Sequence, residues 1–232
     1  MSKVLSLALK RDELNRNLGG GLPSNSLILM EGKEGTGKSI LAQRFAYSLI
    51  QNDTKVTYIS SELNTAEFVQ QMASLDYDIK HHMLNEKIMF IPMFPFLGRV
   101  KLEPNFIDKL MNAERLFKNE VIIIDTFSSL LVQDNISEKK AFELIKFFKQ
   151  ITSLGHTIIF CVDSDHLNES LLSMLRATVD AYFKIEIKTF AGELVRVIFI
   201  QRFKRPKDIY ITSIPFKVEP GKGLAIEIAS FT

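Results

Sequence analysis

The sequence predicts an α/β fold: a mostly parallel central sheet flanked by helices, with antiparallel strands at its carboxy-terminal end. Three observations carry this expectation. Short apolar runs alternate with longer amphipathic segments as far as residue 163. One junction between them is a glycine loop that opens directly into a helical pattern. After residue 180 the alternation gives way to strand, turn, strand pairs, which extend a parallel core as antiparallel strands.

The elements follow in order. Residues 26–31 (SLILME) read as a buried strand entered from the turn-rich Gly19-Gly20-Gly21-Leu22-Pro23. A helix is predicted over 38–50 and a strand over 55–60 (KVTYIS). Asn64 followed three residues later by Glu67 has the form of a capping box, opening a helix that runs to Ser74. Residues 88–91 form a short strand, and 104–117 an amphipathic helix with Pro104 in its first turn. Residues 121–125 (VIIID) are an apolar strand ending in a carboxylate, with the turn-like Thr126-Phe127-Ser128-Ser129 after it. A helix over 138–154 stops at Gly155, and a further central strand covers 157–163. Residues 181–188 and 194–201 flank a hairpin loop, 189–193; strands near 214–218 and 224–228 flank Pro220-Gly221-Lys222-Gly223. No Pro/Gly/Ser linker divides the chain, so 1–232 is read as a single domain.

Composition excludes several classes. The 232 residues are 46% hydrophobic and 24% charged, enough to build a core without metals or disulfides. Lys and Arg total 29 against 27 Asp and Glu, a formal charge of +2, which gives no whole-chain case for nucleic acid or an acidic membrane. Cys161 is the sole cysteine and sits in an apolar run, as an inert buried thiol would. The amino-terminal apolar stretch is too short for a signal peptide, and no window approaches a membrane span. The expected location is cytoplasmic, with docking at a membrane only through partners. Met89, Phe90, Met93, Phe94, Phe96 and Leu97 form an apolar cluster that could serve as a partner surface. The four histidines show no metal spacing and read as ordinary loop or surface residues.

The strongest chemical signal is Gly32-Lys33-Glu34-Gly35-Thr36-Gly37-Lys38-Ser39, which fits G-x-x-x-x-G-K-[ST] between a strand and a helix. Glycines let a backbone wrap phosphates with its amides inward, and the helix that follows adds the positive end of its dipole. The loop contacts expected are Gly32, Glu34, Gly35, Thr36, Gly37, Lys38, Ser39 and Ile40, with no role for the side chains of Lys33 and Glu34. Lys38 places an ammonium by the β- and γ-phosphates of ATP, and the Ser39 hydroxyl is set to ligate Mg²⁺.

Asp125 ends its strand as a Walker B carboxylate does, where it can hold Mg²⁺ through water; the bland alternative is a cap for the next segment. Ser128 and Ser129 are candidate donors beside it. Glu62 is the candidate for orienting or deprotonating water, on the expectation that its strand lies beside the glycine-loop strand. It reads equally well as a solvated loop carboxylate. Asp163 and Asp165 are weaker candidates, Asp163 also as a polar sensor of the γ-phosphate. Arg202 and Lys204 lie in the densest basic segment and share a strand face. They could reach a neighbouring subunit's nucleotide, protect a sheet edge, or form a nucleic-acid patch.

Residues 14–23 (LNRNLGGGLP), SLILMEGKEGTGKSILAQ, VIIIDTFSSLL and the ending from RVIFIQRFKRPKD to IPFKVEPGKGLAIE resemble the RecA/KaiC group of P-loop ATPases along essentially the whole chain. Among its single-domain members the wording is most similar to the ATP-binding component of the archaeal flagellum, or archaellum. The resemblance implies a RecA-like core that binds ATP and Mg²⁺ through Lys38, Ser39 and Asp125. It implies a hexameric ring with nucleotides at the subunit interfaces. Glu62 falls at the family's catalytic glutamate, but Ser61-Glu62-Leu63 stands where many KaiC domains carry two glutamates. Arg202-Phe203-Lys204 keeps the charges of the family's trans-acting Lys-x-Arg pair in reverse order. The implied role is a nucleotide-regulated assembly switch with weak or no hydrolysis. It would work with the motor ATPase FlaI and a membrane scaffold such as FlaX. The alternative is a DNA-dependent ATPase of the recombinase type; the acidic stretch 164–169 and the absence of a second domain speak against it, and nucleic acid is not an expected partner.

Overall fold

The computed structural model describes residues 4–10, 13–93, 106–133, 137–190 and 192–227. A small ribbon of β1 (Val4–Leu5) and β2 (Leu22–Pro23) brackets the short helix α1 (Leu14–Asn17). The main parallel strands are β3 (Leu27–Gly32), β4 (Val56–Ser60), β5 (Ile88–Pro92), β6 (Val121–Asp125) and β7 (Thr157–Asp163). The crossovers contain α2 (Lys38–Gln51), α3 (Thr65–Ser74), α4 (Lys80–Leu84), α5 (Phe106–Asn112), α6 (Phe127–Gln133), α7 (Glu138–Ser153) and α8 (Glu169–Thr178). The chain finishes with β8 (Ala181–Phe190), β9 (Glu193–Phe203), β10 (Ser213–Glu219) and β11 (Gly223–Ile226). Among the described residues these make one nine-stranded sheet in the order β11-β10-β9-β8-β3-β7-β6-β4-β5. β8 joins β3 in parallel; β9, β10 and β11 follow antiparallel, as the sequence predicts.

Both faces of the central strands are covered. Ile28, Met30, Ile123, Ile159 and Cys161 pack toward α2 and α3, whereas Leu27, Leu29, Ile122, Ile124, Ile158 and Phe160 pack toward α6, α7 and α8. Strict alternation along each strand therefore fixes which face every strand-end residue adopts. Cys161 is fully buried, and burial pushes its thiol well above the usual range.

Several local expectations hold. Asn64 and Glu67 form the reciprocal capping box, and Gly155 (φ +104) follows the capping residue of α7. Others need correction. The strand of Glu62 is not beside the glycine-loop strand: β7 and β6 lie between β3 and β4. The helix predicted over 104–117 is shorter, α5 giving way at Ala113 to a 3-10 turn over Glu114–Phe117. Asn112 turns its side-chain amide onto the Asp108 carbonyl, a local bond that competes with continuing the helix. Of the turn-like stretch after Asp125 only Thr126 is a turn; Phe127 opens helix α6, with Phe127, Leu130 and Leu131 buried. The sequence reading assigns no element to residues 170–178; helix α8 lies there, capped by Asn168, with Leu171, Leu172 and Leu175 burying its apolar face. The hairpin is tighter than read, because β8 and β9 pair out to Phe190 opposite Glu193. In the apolar cluster Phe90 is buried and Met89 and Met93 are half-buried; Phe94, Phe96 and Leu97 lie outside the described residues, as do Pro104 and residue 228. No helix among the described residues is long and apolar enough to cross a membrane.

Candidate functional site

Parallel register brings four strand ends to one edge. Gly32 of β3 sits opposite Asp163 of β7, and Ser60 of β4 opposite Asp125 of β6. A crevice of about 440 Å³ opens there, lined by Gly35, Gly37, Lys38, Ser39, Ile40 and Glu34 from the glycine loop and α2. Glu62, Thr126, Asp163, His166, Arg196 and Val218 complete it from the other elements.

The loop is shaped by its glycines. Gly37 adopts φ +97, and a Cβ there would come within 3.3–3.4 Å of the Phe216 ring and the Arg196 Cδ. A Cβ on Gly32 would stand 2.6 Å from the Ile185 carbonyl oxygen and 2.7 Å from Thr36 Oγ1. Thr36 is buried and donates to the Lys33 carbonyl at 2.7 Å. The Lys38 ammonium donates to the carbonyls of Gly32 and Lys33 at 2.7 Å and pairs with Asp163 at 3.2 Å. Asp163 shares the α2 face of β7 with Ile159 and Cys161, which is why it meets this lysine.

Ser39 donates to Asp125 Oδ1 at 3.0 Å. Asp125 is 2% exposed, and the Tyr58 hydroxyl donates to its other oxygen at 2.8 Å. Burial holds the Asp125 carboxyl above the usual carboxylate range, opposed by the hydrogen bonds from Tyr58 and Ser39 and reinforced by the Glu62 charge. The Tyr58 phenol is pushed well above its ordinary value, first by burial and then by the adjacent Asp125 charge. Glu62 accepts a 2.9 Å hydrogen bond from Thr126 Oγ1, so it faces the crevice although its strand is distant from β3. Thr126 has φ +59, a costly conformation for a β-branched residue, of the kind that concentrates at functional sites. The oxygen pair of Ser39 and Asp125 suits a hard divalent cation such as Mg²⁺, and the loop and Lys38 suit a polyphosphate.

Arg196, Tyr58 and His166 are among the site residues that escaped the sequence reading. Arg196 lines the crevice from β9, and strand position alone gave no sign of it. Tyr58 lies in the strand predicted over 55–60, which by itself assigned it no role. His166, read as an ordinary loop residue, stands in the crevice because its amide turns back onto the Asp163 carbonyl. Ser128 acts as an acceptor, taking the Asp163 amide at 2.9 Å.

The same chain does not bring Arg202 and Lys204 to this crevice. Arg202 lies opposite Tyr182, which lies opposite Leu29, and Lys204 hydrogen-bonds to Asp180 beside Leu27. Both therefore sit toward the end where β3 begins; Gly32 is three residues beyond Leu29 and five beyond Leu27, about 10 and 16 Å at strand rise. The Arg202 guanidinium donates to the carbonyls of Arg176, Ala177 and Val179 at the end of α8, and Lys204 pairs with Asp180 at 3.3 Å.

The strand order, the glycine loop and the carboxylate two strands away define a RecA-like P-loop fold. Residues 12–230 match the family model of the KaiC ATPase, and the chain belongs to that family. It is 40% identical to the archaeal flagellar ATP-binding protein FlaH of Methanocaldococcus jannaschii, over 98% of this chain and 97% of the relative. The FlaH of Methanococcus voltae is 34% identical over 98% of this chain and 99% of its own. The crystal structure of the M. jannaschii flagellar accessory protein FlaH superposes with a TM-score of 0.93 at 39% identity, covering 98% of this chain and 100% of that one.

Proposed function

We propose that residues 1–232 act as a single ATP-binding unit of the archaellum machinery, a nucleotide-regulated assembly switch with weak or no hydrolysis. The observation that carries the reading is the meeting of Lys38, Ser39, Asp125 and Asp163 at one sheet edge under the glycine loop. The names of the FlaH relatives, matched along nearly their whole length, support the cellular setting.

In this reading the loop amides and the Lys38 ammonium bind the phosphates. Ser39 and Asp125 would hold Mg²⁺, which supplies charge neutralisation to the β- and γ-phosphates when bound. Asp163 competes with phosphate for Lys38, so nucleotide changes the pairing of that loop; this difference between states is what a switch requires. Glu62, hydrogen-bonded by Thr126, would orient water, with Leu63 following it. Arg202 and Lys204 would act on a neighbouring copy's nucleotide in a hexameric ring. A FlaI-type motor ATPase and a FlaX-type membrane scaffold would read that ring. The recombinase-type alternative lacks a basic loop here: the segment after β7 carries Asp165 and Glu169.

The test is purified protein with ATP and Mg²⁺, followed for phosphate release and for mass by light scattering. Retained ATP, little phosphate and a nucleotide-dependent increase in mass are expected. Rapid turnover stimulated by DNA would replace this reading with the alternative.

A further inference from the structure

Tyr58 is 0% exposed in the middle of β4, opposite Ile123 of β6 and Phe90 of β5. Its ring is packed against Phe68 at 4.8 Å and Phe90 at 6.1 Å, and those two rings stack on each other at 4.1 Å. Asp125 lies two residues beyond Ile123 on the same face, so a phenol leaning along its strand arrives at the carboxylate. The hydroxyl donates to Oδ2 at 2.8 Å, while Ser39 donates to Oδ1 at 3.0 Å. A carboxylate gripped on both oxygens has a fixed rotation. The aromatic stack fixes the phenol in turn. The neighbouring carboxylate shows the reverse arrangement: Glu62, which follows β4, is held by Thr126, which follows β6. Each of the two strands thus supplies one carboxylate and the hydroxyl that orients the other's.

We propose that Tyr58 is a positioning residue for the metal-bound nucleotide: its hydroxyl holds Oδ2 of Asp125 so that Oδ1 stays directed at Ser39 and the divalent cation they share. This rests on the ATP–Mg²⁺ reading above. A phenylalanine keeps the ring and the stack and removes only the donor. Outer-shell partners of metal ligands typically carry about 10- to 100-fold in metal affinity.

The experiment is equilibrium binding of a fluorescent ATP analogue to the full chain, first in EDTA and then across an Mg²⁺ titration, for the unaltered protein and Tyr58→Phe. The expected result is an Mg²⁺ midpoint raised about 10- to 100-fold in Tyr58→Phe, with EDTA affinity unchanged within about twofold. Superimposable titrations overturn the proposal. An equal loss with and without Mg²⁺ also overturns it, since that is the mark of a merely structural tyrosine. If the unaltered protein binds the analogue with no response to Mg²⁺, or does not bind it, the underlying reading fails and this one falls with it. Should Tyr58→Phe not fold, Tyr58→Met removes the same donor while its pliable thioether fills the space, and is judged by the same outcomes.

Discussion

Replacing Arg176 by methionine removes the principal partner of Glu31, the residue that immediately precedes the glycine loop. Glu31 is 1% exposed on the α8 face of β3. Arg176 grips it with two parallel hydrogen bonds of 2.7 Å, and the Tyr182 hydroxyl adds a third at 2.8 Å. Removing one partner of a buried pair costs about 3–5 kcal/mol. The lower end, about 3 kcal/mol, applies here because Tyr182 stays and the Arg176 side chain is 28% exposed. For a chain of this size that is a fall in Tm of about 6–12 °C, read by circular dichroism at neutral pH. The pH dependence has a definite sign. Burial alone would raise the Glu31 carboxyl, but the hydrogen bonds from Arg176 and Tyr182 and the charges of Arg176 and Lys184 outweigh it and hold it below the usual range. Stability from this pair is present above the ordinary glutamate pKa and is lost as pH falls through the lowered native one. The gap between the unaltered protein and Arg176→Met should therefore close in acid, and adding Glu31→Gln to the variant should recover part of the loss. A Tm within about 2 °C of the unaltered protein would refute the reasoning. So would a gap that stays constant through the carboxylate range.

Lys38→Ala should weaken ATP binding about 10- to 100-fold in calorimetry, the worth of a charged hydrogen-bonded contact; normal affinity would remove the loop from the nucleotide site. Glu62→Gln should lower whatever phosphate release is measured while leaving ATP affinity within about threefold; unchanged turnover would return Glu62 to the role of a loop carboxylate. Arg202→Ala should cost about 1–2 kcal/mol in the melt of the isolated chain, because the α8 carbonyls lose their donor, and should abolish a nucleotide-linked gain in mass by light scattering. Retention of that gain would leave Arg202 as a helix-end clamp alone.

The parts of the fold written locally were legible. The apolar run 121–125 became β6, and Asn64 with Glu67 became a capping box, because a strand's burial and a cap's hydrogen bonds depend on neighbours in sequence. The glycine loop was equally plain, since its spacing encodes its shape. What escaped depends on pairing between distant segments. The separation of β4 from β3 is set by strand order, which no local pattern records, so Glu62 lines the crevice from a strand that is not the neighbour expected. Arg196 enters the site only because β9 turns back beside β8, and Tyr58 because its register with Ile123 is known. Helix α8 was hidden by its length: ten residues with apolar positions 171, 172 and 175 sit after a polar loop that obscures the period.

The opposite placement of the phosphate loop and the Arg202 end has a geometric consequence for assembly. If a copy lends this guanidinium to a neighbour's phosphate loop through a head-to-tail contact, it donates from one end of its strands and receives at the other. Such a contact leaves one lender and one receiver unsatisfied at the ends of any open chain of subunits. Only a closed circle satisfies every member, and the rotation per step then decides between a ring and an endless helix.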